Sequence, residues 1–141
     1  MKPIPYERNF LQAPVENFFL ALMGGVLYCA LEMAVRGSTH PSMAVCGAIC
    51  FVFIYRINER YHRIPILIRA LFGGLFITGV ELLAGCLLNL GLGLSVWDYS
   101  GLPYHFLGQI CLSYSILWFL LCIPLTGISY LIRRHVFLGN G

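Results

Sequence analysis

Between Ala70 and Leu90 stand 21 residues with a single charged side chain, Glu81, set among leucine, phenylalanine, isoleucine and valine. As a helix rising ~1.5 Å per residue, such a run covers the roughly 30 Å hydrocarbon core of a bilayer. Its apolar residues cover most of the circumference rather than one stripe, so the solvent around it is expected to be lipid. Backbone polar groups in lipid must be satisfied within the segment, which leaves the α-helix as the structure available to it.

Three further apolar runs accompany it. The chain is 59% hydrophobic and 11% charged over 141 residues, with a mean hydropathy of +0.80, too few charges to coat a water-facing surface. The expected architecture is an all-α integral membrane protein with four transmembrane helices. Helix one is expected over about 15–35, and Arg36-Gly37-Ser38-Thr39-His40-Pro41 ends it. A short helix two follows over about 42–57, then a charged loop at 58–63 and helix three over about 64–90, broken by Gly91 and Gly93. Helix four is expected over about 104–133, with Pro124 kinking it. The whole forms one domain: a polar, proline-punctuated arm at 1–14, a first two-helix unit at 15–63 and a second at 64–141.

Lys and Arg are retained on the cytoplasmic side. Lys2, Arg8, Arg56, Arg60, Arg63, Arg69, Arg133 and Arg134 fall on the side of the two termini and the middle loop, against Arg36 alone on the other. Both termini are therefore expected in the cytoplasm of a multi-pass protein of the cell membrane, with His40, Asp98 and Tyr99 facing outward. This asymmetry accounts for the net charge of +3, so no nucleic-acid partner is implied; the partners expected from composition are membrane lipids. The six cysteines all lie in apolar runs, where they act as small hydrophobes, and neither a disulfide framework nor a zinc site is expected. The chain start lacks the pattern of a cleaved signal peptide, so the first apolar run is expected to remain in the mature protein.

On helix three, Gly74, Thr78, Glu81, Gly85 and Asn89 share one face at spacings of four, three, four and four. This small, polar face is expected to point at protein or a cavity, and an intramembrane carboxylate is a functional-site hypothesis. An internal repeat adds a second carboxylate. Ala21-Leu22-Met23-Gly24-Gly25 followed by Glu32 matches Ala70-Leu71-Phe72-Gly73-Gly74 followed by Glu81 at an offset of 49. Gly47-Ala48-Ile49-Cys50 echoes Gly108-Gln109-Ile110-Cys111 at an offset of 61. Two parallel two-helix repeats related by an axis along the membrane normal follow, with the glutamates at matching depth.

Gly24-Gly25, Tyr28, Glu32, Arg36-Gly37, His40, Met43, Gly47, Asn58-Glu59, Glu81, Gly85, Asn89, Trp97-Asp98-Tyr99-Ser100, Pro103, Gly108-Gln109-Ile110 and Trp118 together resemble the ABC-transporter type IV family, also called CmpB-like. The resemblance runs over nearly the whole chain, and the Trp-Asp-Tyr-Ser turn with its spacing to Glu81 is its most specific part. His105 departs from it, standing where an asparagine is expected. The resemblance implies a permease. No Gly-x-x-x-x-Gly-Lys-Ser/Thr loop is present, so in a transporter a separate ATPase subunit would supply the energy.

The candidate polar site comprises Glu32, Arg36, His40, Glu81, Asn89, Asp98, Tyr99 and Gln109. Each has a plainer reading. Glu32 and Arg36 are spaced for a helical ion pair, His40 with Met43 suits an interfacial cap better than a metal site, Trp97 and Tyr99 suit an interfacial belt, and Asp98 suits a turn. Glu81 has no cation on its own helix, so it is either protonated or reaches across to Arg36 or His40. The arrangement expected is a network lining a polar cavity open outward. Three functional classes remain: a transport-associated protein binding a small polar or ionic solute, expected as a homo-oligomer because four helices enclose little volume; a non-catalytic interaction subunit of a membrane complex; and a lipid-headgroup enzyme. The last lacks a placed nucleophile and a metal-ligand cluster, so catalysis is not expected, and no cofactor is.

Overall fold

The structure, a computed structural model, describes residues 12–61, 63–132 and 134. Most of the expected arm at 1–14 and three residues of the charge count, Lys2, Arg8 and Arg133, lie outside the described residues.

Four α-helices carry the fold: α1 (Gln12–Arg36), α2 (Pro41–Arg60), α3 (Ile66–Gly85) and α4 (Leu112–Ile132). All four are long and apolar enough to cross a membrane. Only 22%, 33%, 28% and 28% of their most apolar windows is buried within the chain, so most of each helix presents Val, Leu, Phe and Ile outward to lipid. The protein is a multi-pass membrane protein.

Local chemistry sets the helix ends. Gly37 takes the left-handed conformation, φ +74°, and its N–H closes α1 on the carbonyl of Met33 at 3.0 Å. Four residues later α2 starts with Pro41 in its first turn, and the His40 side chain accepts from the Ser42 N–H at 3.2 Å. Asn58 to Arg60 remain helical, so α2 runs past the expected end at Ile57 and the charged loop is shorter than expected.

The largest difference from expectation lies between α3 and α4. After Gly85 the third helix widens into a π-helical turn, Cys86–Gly91, where the expected helix simply continued to Leu90. A loop then leads to two short antiparallel strands, β1 (His105–Phe106) and β2 (Ile110–Cys111), with His105 opposite Cys111 and Phe106 opposite Ile110. Leu107 and Gly108 in the turn between them have φ of +55° and +69°, and Tyr104 has +56°. Helix four therefore begins at Leu112 and not at Tyr104, because left-handed residues cannot continue a right-handed helix. Its helix continues through Pro124. The second half of the repeat is corrected by the same hairpin: Gly108-Gln109-Ile110-Cys111 forms a turn and a strand, so the offset-61 match pairs no helix with α2.

α1 packs on α2 and α3 on α4, while α2 sits against both α3 and α4. Close approach depends on glycine. A Cβ on Gly24 would lie 2.4 Å from the Phe51 Cβ and 2.6 Å from the Gly47 carbonyl oxygen, and one on Gly47 would lie 2.4 Å from the Tyr28 Cβ. Gly73 and Gly74 similarly admit Cys122 and Phe119 of α4. In lipid, such small-residue contacts replace a hydrophobic drive between helices. Cys50, Ile54, Ala70, Ile77, Trp118 and Cys122 fill the centre.

Polar side chains form a layer at the end where α1 starts and α4 finishes. Arg56 bonds Asn17, Glu16 and Glu59, and the Asn58 side-chain oxygen accepts from Arg69 at 2.9 Å and from Thr126 at 3.3 Å. The six cysteines are unpaired thiols, and the described residues hold no group of three or more His, Cys, Asp or Glu able to take a metal ion.

Candidate functional site

The polar face of α3 is zipped to protein along its length. Gly74 takes the Phe119 backbone against it, Thr78 donates to the Ser115 hydroxyl at 3.0 Å, Glu81 accepts from the Trp118 indole N–H at 3.1 Å, and Gly85 lies against Gln109. Beyond it, the Asn89 amide donates to Gln109 Oε1 at 2.8 Å. The spacing of four, three, four and four thus reads as one seam along α4 and the 105–111 hairpin. A Cβ on Gly85 would meet Gln109 Oε1 at 2.5 Å, so glycine sets how closely the hairpin seats.

At Glu81, midway along this seam, a chain of charged and polar groups crosses from α3 to α1. Glu81 is 4% exposed and Glu32 5%. The Tyr99 hydroxyl donates to Glu81 Oε1 at 3.3 Å and accepts from Arg36 Nη2. Arg36 Nη1 reaches Glu32 Oε1 at 3.5 Å, and Thr39 donates to the other Glu32 oxygen at 2.9 Å. Burial, then the Glu81 carboxylate, raise the Tyr99 phenol well above its ordinary value, so it stays protonated and donates. The Arg36 guanidinium stands over three rings, 5.2 Å from Tyr99, 5.6 Å from Tyr114 and 6.0 Å from Trp97, within cation–π range. Tyr99 stacks on Tyr114 with centroids 4.7 Å apart.

The loop that supplies Tyr99 is held by its own side chains. Asn89 Oδ1 accepts from the Val96 N–H at 2.7 Å, the Trp97 indole donates to the Gln109 carbonyl at 2.9 Å, and the Tyr99 N–H donates to Gly108 at 2.7 Å. Asn89 and Gln109 therefore position the loop and stand beside the charged chain, not in it. His40 caps α2 through Ser42. Asp98 is exposed and accepts from the Ser100 N–H at 2.9 Å, which holds its carboxyl below the usual range; it closes a turn. Of the eight expected site residues, Glu32, Arg36, Glu81 and Tyr99 meet in one hydrogen-bonded chain. Among the described residues, the space next to the Glu32–Arg36 pair measures about 20 Å³.

Sequence reasoning left Thr39, Tyr114 and the indole of Trp118 without a site role. Trp118 carried a usable signal, since an indole N–H inside an apolar helix needs an acceptor, and buried Glu81 is the nearest kind of group to provide it. Chemically the arrangement can hold an ionic or hydrogen-bonding group. It presents no activated nucleophile.

Residues 26–138 match the model of the family described as Putative ABC-transporter type IV. No curated protein and no solved structure matches the chain. The matched segment contains the full Glu32–Arg36–Tyr99–Glu81 chain.

Proposed function

Because the chain belongs to the Putative ABC-transporter type IV family, we propose that it is a permease-like component of a transport assembly and that it meets a small polar or ionic solute at the Glu32–Arg36–Tyr99–Glu81 chain. The supporting observation is that carboxylates from α1 and α3 are joined through one guanidinium and one phenol. Ionisable groups within membrane spans are costly and concentrate on substrate and ion pathways. Entry of a solute requires the 92–111 segment to shift, since the adjoining space is only about 20 Å³. Energy comes from a separate ATPase chain, and a pathway wide enough for a solute requires a homo-oligomer. The same small space favours a second reading, in which the network fixes the fold of a non-catalytic interaction subunit.

Complementation of a deletion strain separates the two. Glu81→Gln keeps the shape and removes the charge, so it should fold with a melting temperature equal to or above wild type yet lose the cellular phenotype, while Glu81→Asp keeps part of it. Glu32→Gln should have the smaller effect, because Arg36 can then snorkel toward water. Full complementation by Glu81→Gln would leave the interaction subunit as the account.

We place both termini in the cytoplasm, on the charge asymmetry, with the 92–111 segment outside the cell membrane. In a cysteine-free background, Ser100→Cys should react with an impermeant thiol reagent in intact cells; labelling only after permeabilisation reverses the orientation. The two helix pairs are read as a parallel repeat. What supports this is the shared use of Gly24-Gly25 against α2 and Gly73-Gly74 against α4, each pair followed within two turns by the glutamate that enters the network.

A further inference from the structure

The segment joining α3 to α4 carries a surface ill suited to water. Leu92, Leu94, Leu102, Tyr104, Phe106 and Leu107 are all exposed, Tyr104 at 82%, and between positions 92 and 111 Asp98 is the one Asp, Glu, Lys or Arg. Helix length fixes the level at which this surface sits. From Ile66 to Gly85 α3 rises roughly 29 Å, and from Leu112 to Ile132 α4 spans roughly 30 Å. Gly85 and Leu112 therefore both stand at the edge of a ~30 Å hydrocarbon core. The hairpin is fastened to that edge from two sides: Gln109 lies against Gly85, and the Leu112 N–H donates to the Tyr104 carbonyl at 3.3 Å. At ~3.3 Å per residue, Phe106 and Leu107 stay within about 10 Å of Tyr104. Near the same level the third helix exposes Leu83 and Leu87, and α4 exposes Leu112 and Ile116, so the surface runs on from the lipid-facing wall of the bundle.

We infer that the hairpin is a membrane-interface anchor whose partner is the lipid of the adjoining leaflet, with Tyr104, Phe106 and Leu107 seated at the boundary between headgroups and acyl chains. Tyrosine suits that boundary because its ring is apolar and its hydroxyl stays wet. Trp97 and Tyr99, the aromatics whose type suited such a belt, are buried in the protein, so the belt passes to the hairpin. Charge leaves little for a protein partner to read, since Asp98 closes its own turn on the Ser100 N–H. The anchor also bears on the buried network. The Tyr99 N–H donates to the Gly108 carbonyl at 2.7 Å, so a hairpin held by the bilayer holds in place the phenol that donates to Glu81. The anchor is independent of the solute reading, because none of its residues belongs to the Glu32–Arg36–Tyr99–Glu81 chain.

The test is fluorescence quenching of Tyr104→Trp in the full chain, reconstituted in phosphatidylcholine vesicles with or without bromine on the acyl chains near the glycerol end. The wild-type signal, from the buried Trp97 and Trp118, is subtracted. Emission from Tyr104→Trp should be quenched by the brominated lipid at least severalfold more strongly than by aqueous acrylamide, and Ser100→Trp should show the reverse. Acrylamide quenching of Tyr104→Trp equal to that of Ser100→Trp puts the hairpin in water and overturns the anchor. Protection from both quenchers means that protein covers the surface, a second copy or a partner, and overturns it equally. Tyr104→Ser combined with Phe106→Ser, both at exposed positions, should keep the melting temperature in detergent yet raise amide exchange at Tyr99 severalfold in nanodiscs; unchanged exchange overturns the hold on Tyr99. Glu81→Gln added to Tyr104→Trp should leave the quenching pattern unaltered, whatever it does to the phenotype of the strain.

Discussion

Arg36→Met is expected to melt well below wild type in detergent, and adding Glu81→Gln should recover much of the loss. Arg36 is the cation through which Glu32 and, by way of Tyr99, Glu81 are connected. Methionine preserves the apolar stem, so the change isolates the guanidinium. Removing one partner of a buried pair costs about 3–5 kcal/mol because the remaining charge stays desolvated. The Arg36 side chain is 20% exposed, so solvent screening reduces the expected loss to about 2–3 kcal/mol. Its position over Trp97, Tyr99 and Tyr114 adds to this. Neutralising Glu81 removes one of the two stranded carboxylates, so the double variant should be more stable than the sum of the singles. Strictly additive losses would mean that Arg36 and Glu81 are not energetically coupled, and the Tyr99 bridge would then be a bystander.

Gly47→Ala is expected to destabilise the bundle by about 3 kcal/mol, at the upper end for overpacking. The added methyl would meet the Tyr28 Cβ at 2.4 Å and the Gly24 carbonyl oxygen at 2.7 Å. Neither neighbour is the end of a flexible side chain, so α1 and α2 must separate along their whole contact. Gly24→Ala should behave alike, since its methyl would meet Phe51 and Gly47 from the opposite side. Gly79→Ala is the control: nothing lies within 4 Å of its Cβ position, and alanine is the better helix former by about 1 kcal/mol. Unfolding in detergent by a mild denaturant, followed by circular dichroism, measures all three. Equal stability of Gly47→Ala and Gly79→Ala would mean that the α1–α2 crossing yields to an added methyl at no cost.

Hydropathy alone determined that this chain spans the membrane, and in how many helices, because a bilayer leaves so few alternatives: a run of about 20 apolar residues must satisfy its backbone internally. Helical spacing also put Gly74, Thr78, Glu81, Gly85 and Asn89 on one face, which is geometry internal to a single element. The region from Cys86 to Cys111 was beyond such reasoning. Ile110 and Cys111 are as apolar as the helix that follows, so periodicity extends the helix backward, while the left-handed residues Tyr104, Leu107 and Gly108 are adopted only because the hairpin is seated on Gly85 and held through Gln109 and Trp97. The partner of Glu81 was undecidable for the same reason. An i,i+4 pair such as Glu32 and Arg36 is written in the spacing, but Tyr99 and Trp118 stand 18 and 37 residues from Glu81. Contacts across such separations depend on how α1, α3, α4 and the hairpin pack, and only the tertiary structure decided that the buried carboxylate meets a phenol and an indole under an arginine.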